Sequence, residues 1–406
     1  MRKIARRDFL FYSGIGTASL FSSKRAISYQ HPAKTNVGSS IHGYDPWVEI
    51  DLDNMGWNLS QIKKTARVPI MAVVKANAYG HGLVEVAQYL EKEGIDYLMV
   101  GKLKEAIRLR ENGISCPILN FGRFHRDQCE EIIRKDVSQS VFDEDIRCLN
   151  QSALRLGKKA RIHIHVDTGM GRMGIPYLKG LPYIQAVSSL QGIFIEAIST
   201  TLTEDDDFDL IQLNRFLILC QECEKVGIYL GLKHAASSDG ILDLAQDHLD
   251  MVRPGILLYG YYPSDKTRIE DRLAVKPALQ LKARVVDVKT IRKGESLSYH
   301  RRYTAQKREK IAVIPVGYSD GYPTNIVDKG HVLIGGKKHP LVAAITANHS
   351  IALLDDNSRV ASGDEVVLIG KQGKEKITAD DIAGWAGVST YKVLIDMNPF
   401  LPRIIK

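Results

Sequence analysis

Long apolar runs are missing from this 406-residue chain, and none approaches the roughly 20 residues that a membrane-spanning helix needs. Cysteine is scarce. There are five, an odd number, so at most two disulfides could form and one thiol would be left over. Cys220 and Cys223 form a lone C-x-x-C inside the helical pattern LIQLNRFLILCQECEKVG. No second pair and no histidine at ligand spacing accompanies them, so two helix cysteines are expected rather than a zinc or redox centre. Internal repeats and low-complexity segments are absent too. Most of the chain also lacks an excess of one charge. The formal charge is +8, but Arg2, Lys3, Arg6, Arg7, Lys24 and Arg25 against Asp8 account for +5 of it, leaving +3 for the remainder. A body that close to neutral excludes a nucleic-acid partner as the organising function.

What is present begins with residues 1–28. Arg6 and Arg7 are followed by Asp8, Phe9 and Leu10, then by a short, mildly apolar run containing glycine and serine. Lys24-Arg25 and the small residues Ala26-Ile27-Ser28 come next. This resembles a twin-arginine signal, and it implies an exported, periplasmic protein carried across the membrane already folded. A short amphipathic helix on a cytosolic protein is the plainer alternative. Residues 29–45 have the character of a linker.

Strand-like and helix-like segments alternate through the first two thirds. The strand candidates are WVEIDL (47–52), IMAVVK (70–75), DYLMVG (96–101), PILNF (117–121), SQSVF (138–142), RIHIHVD (161–167), IFIEAIS (193–199), GLKHAA (231–236) and MVRPGILLYG (251–260). Between them, stretches such as LVEVAQYLEKEG and LKEAIRLRENG repeat apolar residues at spacings of three and four. About eight strand–helix units predict an α/β fold, a (β/α)8 TIM barrel over 46–275. From residue 276 the runs become short and β-rich with tight turns, interrupted by one helical piece, TADDIAGWAG (378–387). A C-terminal mostly-β domain over 276–406 is expected.

Chemistry is suggested first by Lys75, which ends the apolar run IMAVV and is followed at once by ANAYGHG. The C-terminal ends of barrel strands are where active sites of this fold lie. An amine among apolar neighbours is desolvated, which lowers its pKa and lets it condense with an aldehyde. Position alone suits equally well a lysine reaching for solvent from a strand end.

The longer pattern is more specific. VVKANAYGHG, VDTGMGRMG (166–174), RPGILLYG (253–260), LSYHRRYTA (297–305), PVGYSDGYP (315–323) and DEVVLIG (364–370) occur in that order. Together, over residues 46–404, they resemble the alanine racemases, pyridoxal 5'-phosphate (PLP) enzymes with a TIM barrel and a C-terminal β domain. The resemblance implies an isomerase that interconverts L- and D-alanine with two bases and so supplies D-alanine for peptidoglycan. It implies a homodimer with shared active sites. Lys75 would hold the cofactor and act on the D face, and Tyr299, from the partner subunit, on the L face. Tyr79, Ser238, Gly255 and Ile256 would hold the phosphate. Arg253 would face the pyridine nitrogen and His234 would stack on the ring, although alone it suits a buried core histidine. Arg172 would clamp the substrate carboxylate, Ala347 would offer its amide, and Tyr318 would line the entrance. No metal is expected.

Five positions depart from that family's pattern. His165 stands where a lysine often pins the carboxylate-binding arginine, and Thr201 where a histidine supports the catalytic tyrosine. Ala347-Asn348 replaces Met-Asp, and Ile405 stands for a tyrosine that touches the phosphate. These departures leave two alternatives open: a racemase of broader specificity acting on larger amino acids, and a weakened PLP-binding relative.

Overall fold

The computed structural model describes residues 43–243 and 248–406. The segment expected to be an N-terminal signal and most of the expected linker lie outside the described residues.

Seven parallel strands follow one another in chain order: Met71–Val73, Tyr97–Val100, Ile118–Asn120, Ser138–Val141, Ala160–Asp167, Ile193–Ser199 and Leu232–His234. The segment 252–254 closes the ring. Met71 N–H donates to the Val252 carbonyl (2.8 Å), Val73 N–H to Pro254 (3.0 Å), and Arg253 N–H to Ala236 (2.9 Å). An eight-membered parallel barrel results, as the alternation of strand and helix patterns led us to expect.

The helices outside it follow local rules. Leu52–Ala66 is capped by Asp51, whose carboxylate accepts the Asn54 amide at 2.8 Å. Leu103–Glu111 stops just before Gly113, which has φ +84°. Cys220 and Cys223 are buried within the single helix Asp206–Lys225, and no metal-binding cluster occurs among the described residues.

The first strand candidate, 47–52, does not join the barrel. Trp47–Ile50 pairs antiparallel with Leu279–Arg284 and parallel with Arg403–Ile405. It belongs to the large, mainly antiparallel sheet of the C-terminal region, which also contains Glu309–Ile314, Ser350–Leu354 and Glu365–Gln372. Residues 47–50, Trp-Val-Glu-Ile, are buried at every position, Glu49 with its carboxylate paired to Lys282, and so short a segment carries no mark of which sheet it will enter. The helical piece near 378–387 is Ala379–Ala386, and a second short helix, Thr390–Ile395, follows it.

A barrel interior usually fills with Val, Ile and Leu. Here Asn120, Gln139, His163, His165, Ser199 and His234 are all buried, which makes one level of the interior polar. Such groups must find partners, and those partners build the site.

Candidate active site

Lys75 leaves the strand Met71–Val73 and enters an unusual turn. Ala76, Asn77, Ala78 and Tyr79 all have φ between 52° and 57°, a left-handed turn made without glycine. Each such residue costs about 1–2 kcal/mol, so the surroundings must impose it. Glu105 accepts the amides of Ala76 (2.7 Å), Gly101 (3.0 Å) and Lys102 (3.1 Å). The Asn77 side chain accepts the Leu83 amide at 3.0 Å and so caps the next helix. The guanidinium of Arg403 donates to the Gly80 carbonyl at 3.1 and 2.8 Å and also to the carbonyls of Asn398, Pro399 and Leu401. Gly80 has φ +82°, and a Cβ there would lie 2.1 Å from the Leu394 carbonyl oxygen.

Lys75 is exposed to solvent. Its amine is nevertheless held below the ordinary lysine value, first by the dense protein around it and then by the Arg172 charge, with Arg253 adding to and Glu105 opposing the effect. A larger neutral fraction is what an attacking amine requires.

The same turn carries Tyr79 into a small cradle. The buried Tyr79 ring lies 4.9 Å from Tyr259 and 5.9 Å from Tyr391. A Cβ on Gly255 would fall 2.6 Å from the Tyr79 hydroxyl, so only glycine keeps that space open. Ser238 Oγ accepts the Gly255 amide at 2.9 Å, which fixes the turn that leads into Ile256–Tyr259. Tyr79, Ser238, Gly255 and Ile256 are thus brought together as expected, in a form that fits a phosphate. Tyr391 was not foreseen. Ile405, expected to stand for a phosphate tyrosine, pairs with Ile50 in the β sheet, and Tyr391 is the tyrosine that approaches the cradle.

Arg253 is 5% exposed. Its guanidinium donates to the carbonyls of His234 (2.9 Å), Thr200 (2.8 Å) and Ala235 (2.8 Å) and to His234 Nδ1 (2.5 Å). Among the described residues, Nε is left without a partner, one N–H for a ring nitrogen. Burial lowers the Arg253 pKa to about 10, still well above neutrality.

Both ring nitrogens of His234 are bonded. With Nδ1 accepting from Arg253, its Nε2 carries the proton and donates to His163 Nδ1 at 2.9 Å. His163 Nε2–H then donates to Glu196 at 3.1 Å. Glu196 also accepts from the hydroxyls of Tyr97 (3.0 Å) and Ser138. The result is a single directed chain, Arg253–His234–His163–Glu196, with a charge at each end and two neutral imidazoles between. Burial alone would raise the Glu196 pKa, but the bonds from His163 and Ser138 and the Arg161 charge bring it to about 2. Burial drives both histidines below their ordinary value. His163 and Glu196 were missed by sequence reasoning. The available signal was RIHIHVD, two histidines on one face of an apolar strand.

His165 turns to Ser199 Oγ (3.1 Å) and to the edge of Phe121. Burial and the charges of Arg253 and Arg172 lower its pKa to about 3. It does not receive a hydrogen bond from Arg172. Arg172 itself is exposed on the loop after Ala160–Asp167, where Asp167 accepts the amides of Gly169 and Gly171. The Thr201 carbonyl accepts from Gln212, and no side-chain bond of Thr201 occurs among the described residues.

Tyr299, Tyr318 and Ala347 lie on the β domain. Tyr299 is 74% exposed and is flanked by Ser298 and His300 with φ near +60°. No hydrogen bond among the described residues joins it to Lys75 or to the cradle. Tyr318 is 58% exposed, and its amide donates to Thr346. The Ala347 carbonyl accepts from Ser319 Oγ and N–H, and its own amide has no partner among the described residues.

Comparison with known proteins agrees with this geometry. The family models for the alanine racemase N-terminal domain and C-terminal domain match residues 50–263 and 278–405. The chain is 39% identical over 365 residues to alanine racemase 2 of Caldanaerobacter subterraneus subsp. tengcongensis, covering 88% of this chain and 94% of that one. It is 36% identical to the alanine racemase of Methanococcus maripaludis, covering 88% and 98%. Among solved structures, alanine racemase of Clostridium difficile 630 is similar with a TM-score of 0.85 at 35% identity, covering 90% and 97%. The enzyme of Bacillus anthracis with bound L-Ala-P is similar with a TM-score of 0.85 at 31% identity, covering 90% and 96%. The chain belongs to the alanine racemase family.

Proposed function

We propose that the protein is a PLP-dependent isomerase that interconverts L- and D-alanine. The observation that carries this reading is the placement of Lys75. Its amine, of lowered pKa, starts the imposed turn that carries Tyr79 into the cradle with Gly255 and Ser238, and it lies within reach of the Arg253 charge. PLP, when bound, supplies an electron sink for the pair of electrons left when the α-proton departs. Tyr79, Ser238, the Gly255–Ile256 turn and Tyr391 would hold its phosphate. Arg253 would present Nε–H to the ring nitrogen and, staying charged, keep a proton off it.

The proton itself is handled by side chains. Lys75 Nζ takes it from, or returns it to, one face of the α-carbon. The hydroxyl of Tyr299 of the partner subunit serves the opposite face, so a homodimer with shared sites is part of the reading. Exposure of Tyr299, away from its own chain's Lys75, supports that assignment. Arg172 and the free Ala347 amide would hold the substrate carboxylate. Export by the N-terminal signal and supply of D-alanine to peptidoglycan complete the proposal.

Broader specificity is the second reading. It is favoured because Arg172 has no hydrogen-bond partner among the described residues, while His165, in the place of its expected support, is occupied with Ser199. A loosely held clamp discriminates less between side chains.

One experiment tests both readings. Racemisation of L-alanine, L-serine and L-lysine is measured for wild type, Lys75→Ala, Tyr299→Phe and a refolded equal mixture of the two variants. Each variant alone should lose about 10²–10⁴-fold or more. The mixture should regain roughly a quarter of wild-type activity, because random pairing gives half mixed dimers, each with one intact site. Full activity in Lys75→Ala would overturn the mechanism, and no recovery in the mixture would overturn the shared site. Comparable rates on all three substrates would favour the broader enzyme.

A further inference from the structure

Cys129 and Cys148 face each other on adjacent helices. Cys129 opens Cys129–Arg134, and Cys148 lies in the first turn of Ile146–Arg155, with the barrel strand Ser138–Val141 between them in the chain. Their sulfurs are 2.7 Å apart. That is closer than even unbonded carbon atoms pack, at about 3.5–4.0 Å. The helices are also tied by an ion pair from Arg155 to Glu130 (3.2 Å). We propose that Cys129 and Cys148 are a disulfide-forming site that staples these two helices across one barrel unit.

The two thiols are not equivalent. Cys148 is partly exposed, while Cys129 is buried and is pushed well above its ordinary value by burial and by the hydrogen bond to Cys148. Cys148 is therefore the sulfur that an external disulfide reaches. Its thiolate attacks a small-molecule disulfide such as oxidised glutathione and releases one glutathione thiol. Cys129 then loses its proton and displaces the second glutathione from Cys148. Two protein thiols become one disulfide, and one glutathione disulfide becomes two thiols, which take up the protons released. The other cysteines are poor competitors. Cys116 has no cysteine beside it, and Cys220 and Cys223 are buried three residues apart on one helix, their thiols pushed up to about 12 and about 11. Neither Cys129 nor Cys148 is bonded to Lys75 or to the cradle among the described residues, so the staple should change stability and leave the chemistry alone.

The full-length protein is incubated with oxidised glutathione, alkylated under denaturing conditions and digested with trypsin without reduction. The sequence releases residues 127–134 and 148–155 as separate peptides, each with one cysteine. The expected product is the two peptides joined and lighter by two hydrogens, with three of the five thiols still alkylated. Thermal melting should fall by about 2–5 °C when dithiothreitol is added to the oxidised protein, and by nothing in Cys148→Ser. Two separately alkylated peptides, or glutathione retained on Cys148 without a link to Cys129, would overturn the proposal.

Discussion

His163 and His165 are alternate residues of one strand, yet the structure puts them to different uses. Both are buried, and both are kept neutral by burial. His163 bridges a carboxylate and a second imidazole, while His165 rests on a serine hydroxyl. Their alternation could be read from RIHIHVD, but their partners could not. Glu196 lies 33 residues further along the chain and His234 lies 71, so the chain of bonds exists only once three strands are aligned. Lys75 was legible for the opposite reason, since its motif is contiguous. The bridging role makes His163 costly to lose. His163→Leu leaves the His234 Nε2–H and one lone pair of Glu196 buried without partners, and we expect a loss of about 2–3 kcal/mol. Urea unfolding measures it. Glu196→Gln, which can still accept from His163, should cost less, and the reverse order would contradict the directed chain.

At the scale of elements, the turn after Lys75 shows how far tertiary bonds override local preference. Of Ala-Asn-Ala-Tyr only the asparagine tolerates left-handed backbone readily, and sequence reasoning expected only a lysine at the end of a strand. Glu105 and Arg403 hold it from two other places in the fold, and Asn77 within the turn ties it to the next helix. The strand Trp47–Ile50 makes the same point, because a strand pattern of that length suits either sheet and only the observed register assigns it. Arg403→Met retains the packing of the stem but removes every donor to the Gly80 carbonyl. The expected result is a loss of about 2–4 kcal/mol, together with weaker cofactor retention on dialysis. Unchanged retention would mean that the turn holds without its clamp.

For the molecule as a whole, the polar level inside the barrel sets the response to acid. His163, His165 and His234 of that level, together with His81 packed against Tyr259 after the lysine turn, are all neutral and buried, with His81 lowered to about 4 and His165 to about 3. In the unfolded chain each would take up a proton near its ordinary value of 6.5. The unfolded state therefore binds more protons below pH 6.5. The stability these groups contribute is complete above that pH and declines as pH falls, to about pH 4 for His81 and about pH 3 for His165. Each contributes up to about 1.4 kcal/mol per pH unit within its window. Glu196 adds a later loss as pH falls from its ordinary 4.5 to about 2. The urea midpoint should be clearly lower at pH 5.5 than at pH 7.5, and equal midpoints would refute the account.

The bond from Arg403 to Gly80 also spans time. The two residues are 323 positions apart, so the ribosome makes the lysine turn long before it makes the clamp that holds it. Until that late segment has emerged and paired with Trp47–Ile50, the turn is held by Glu105 and Asn77 alone and lacks its clamp. Loading of the cofactor is thereby ordered after synthesis of the β domain. An incomplete chain would carry the lysine but not the site.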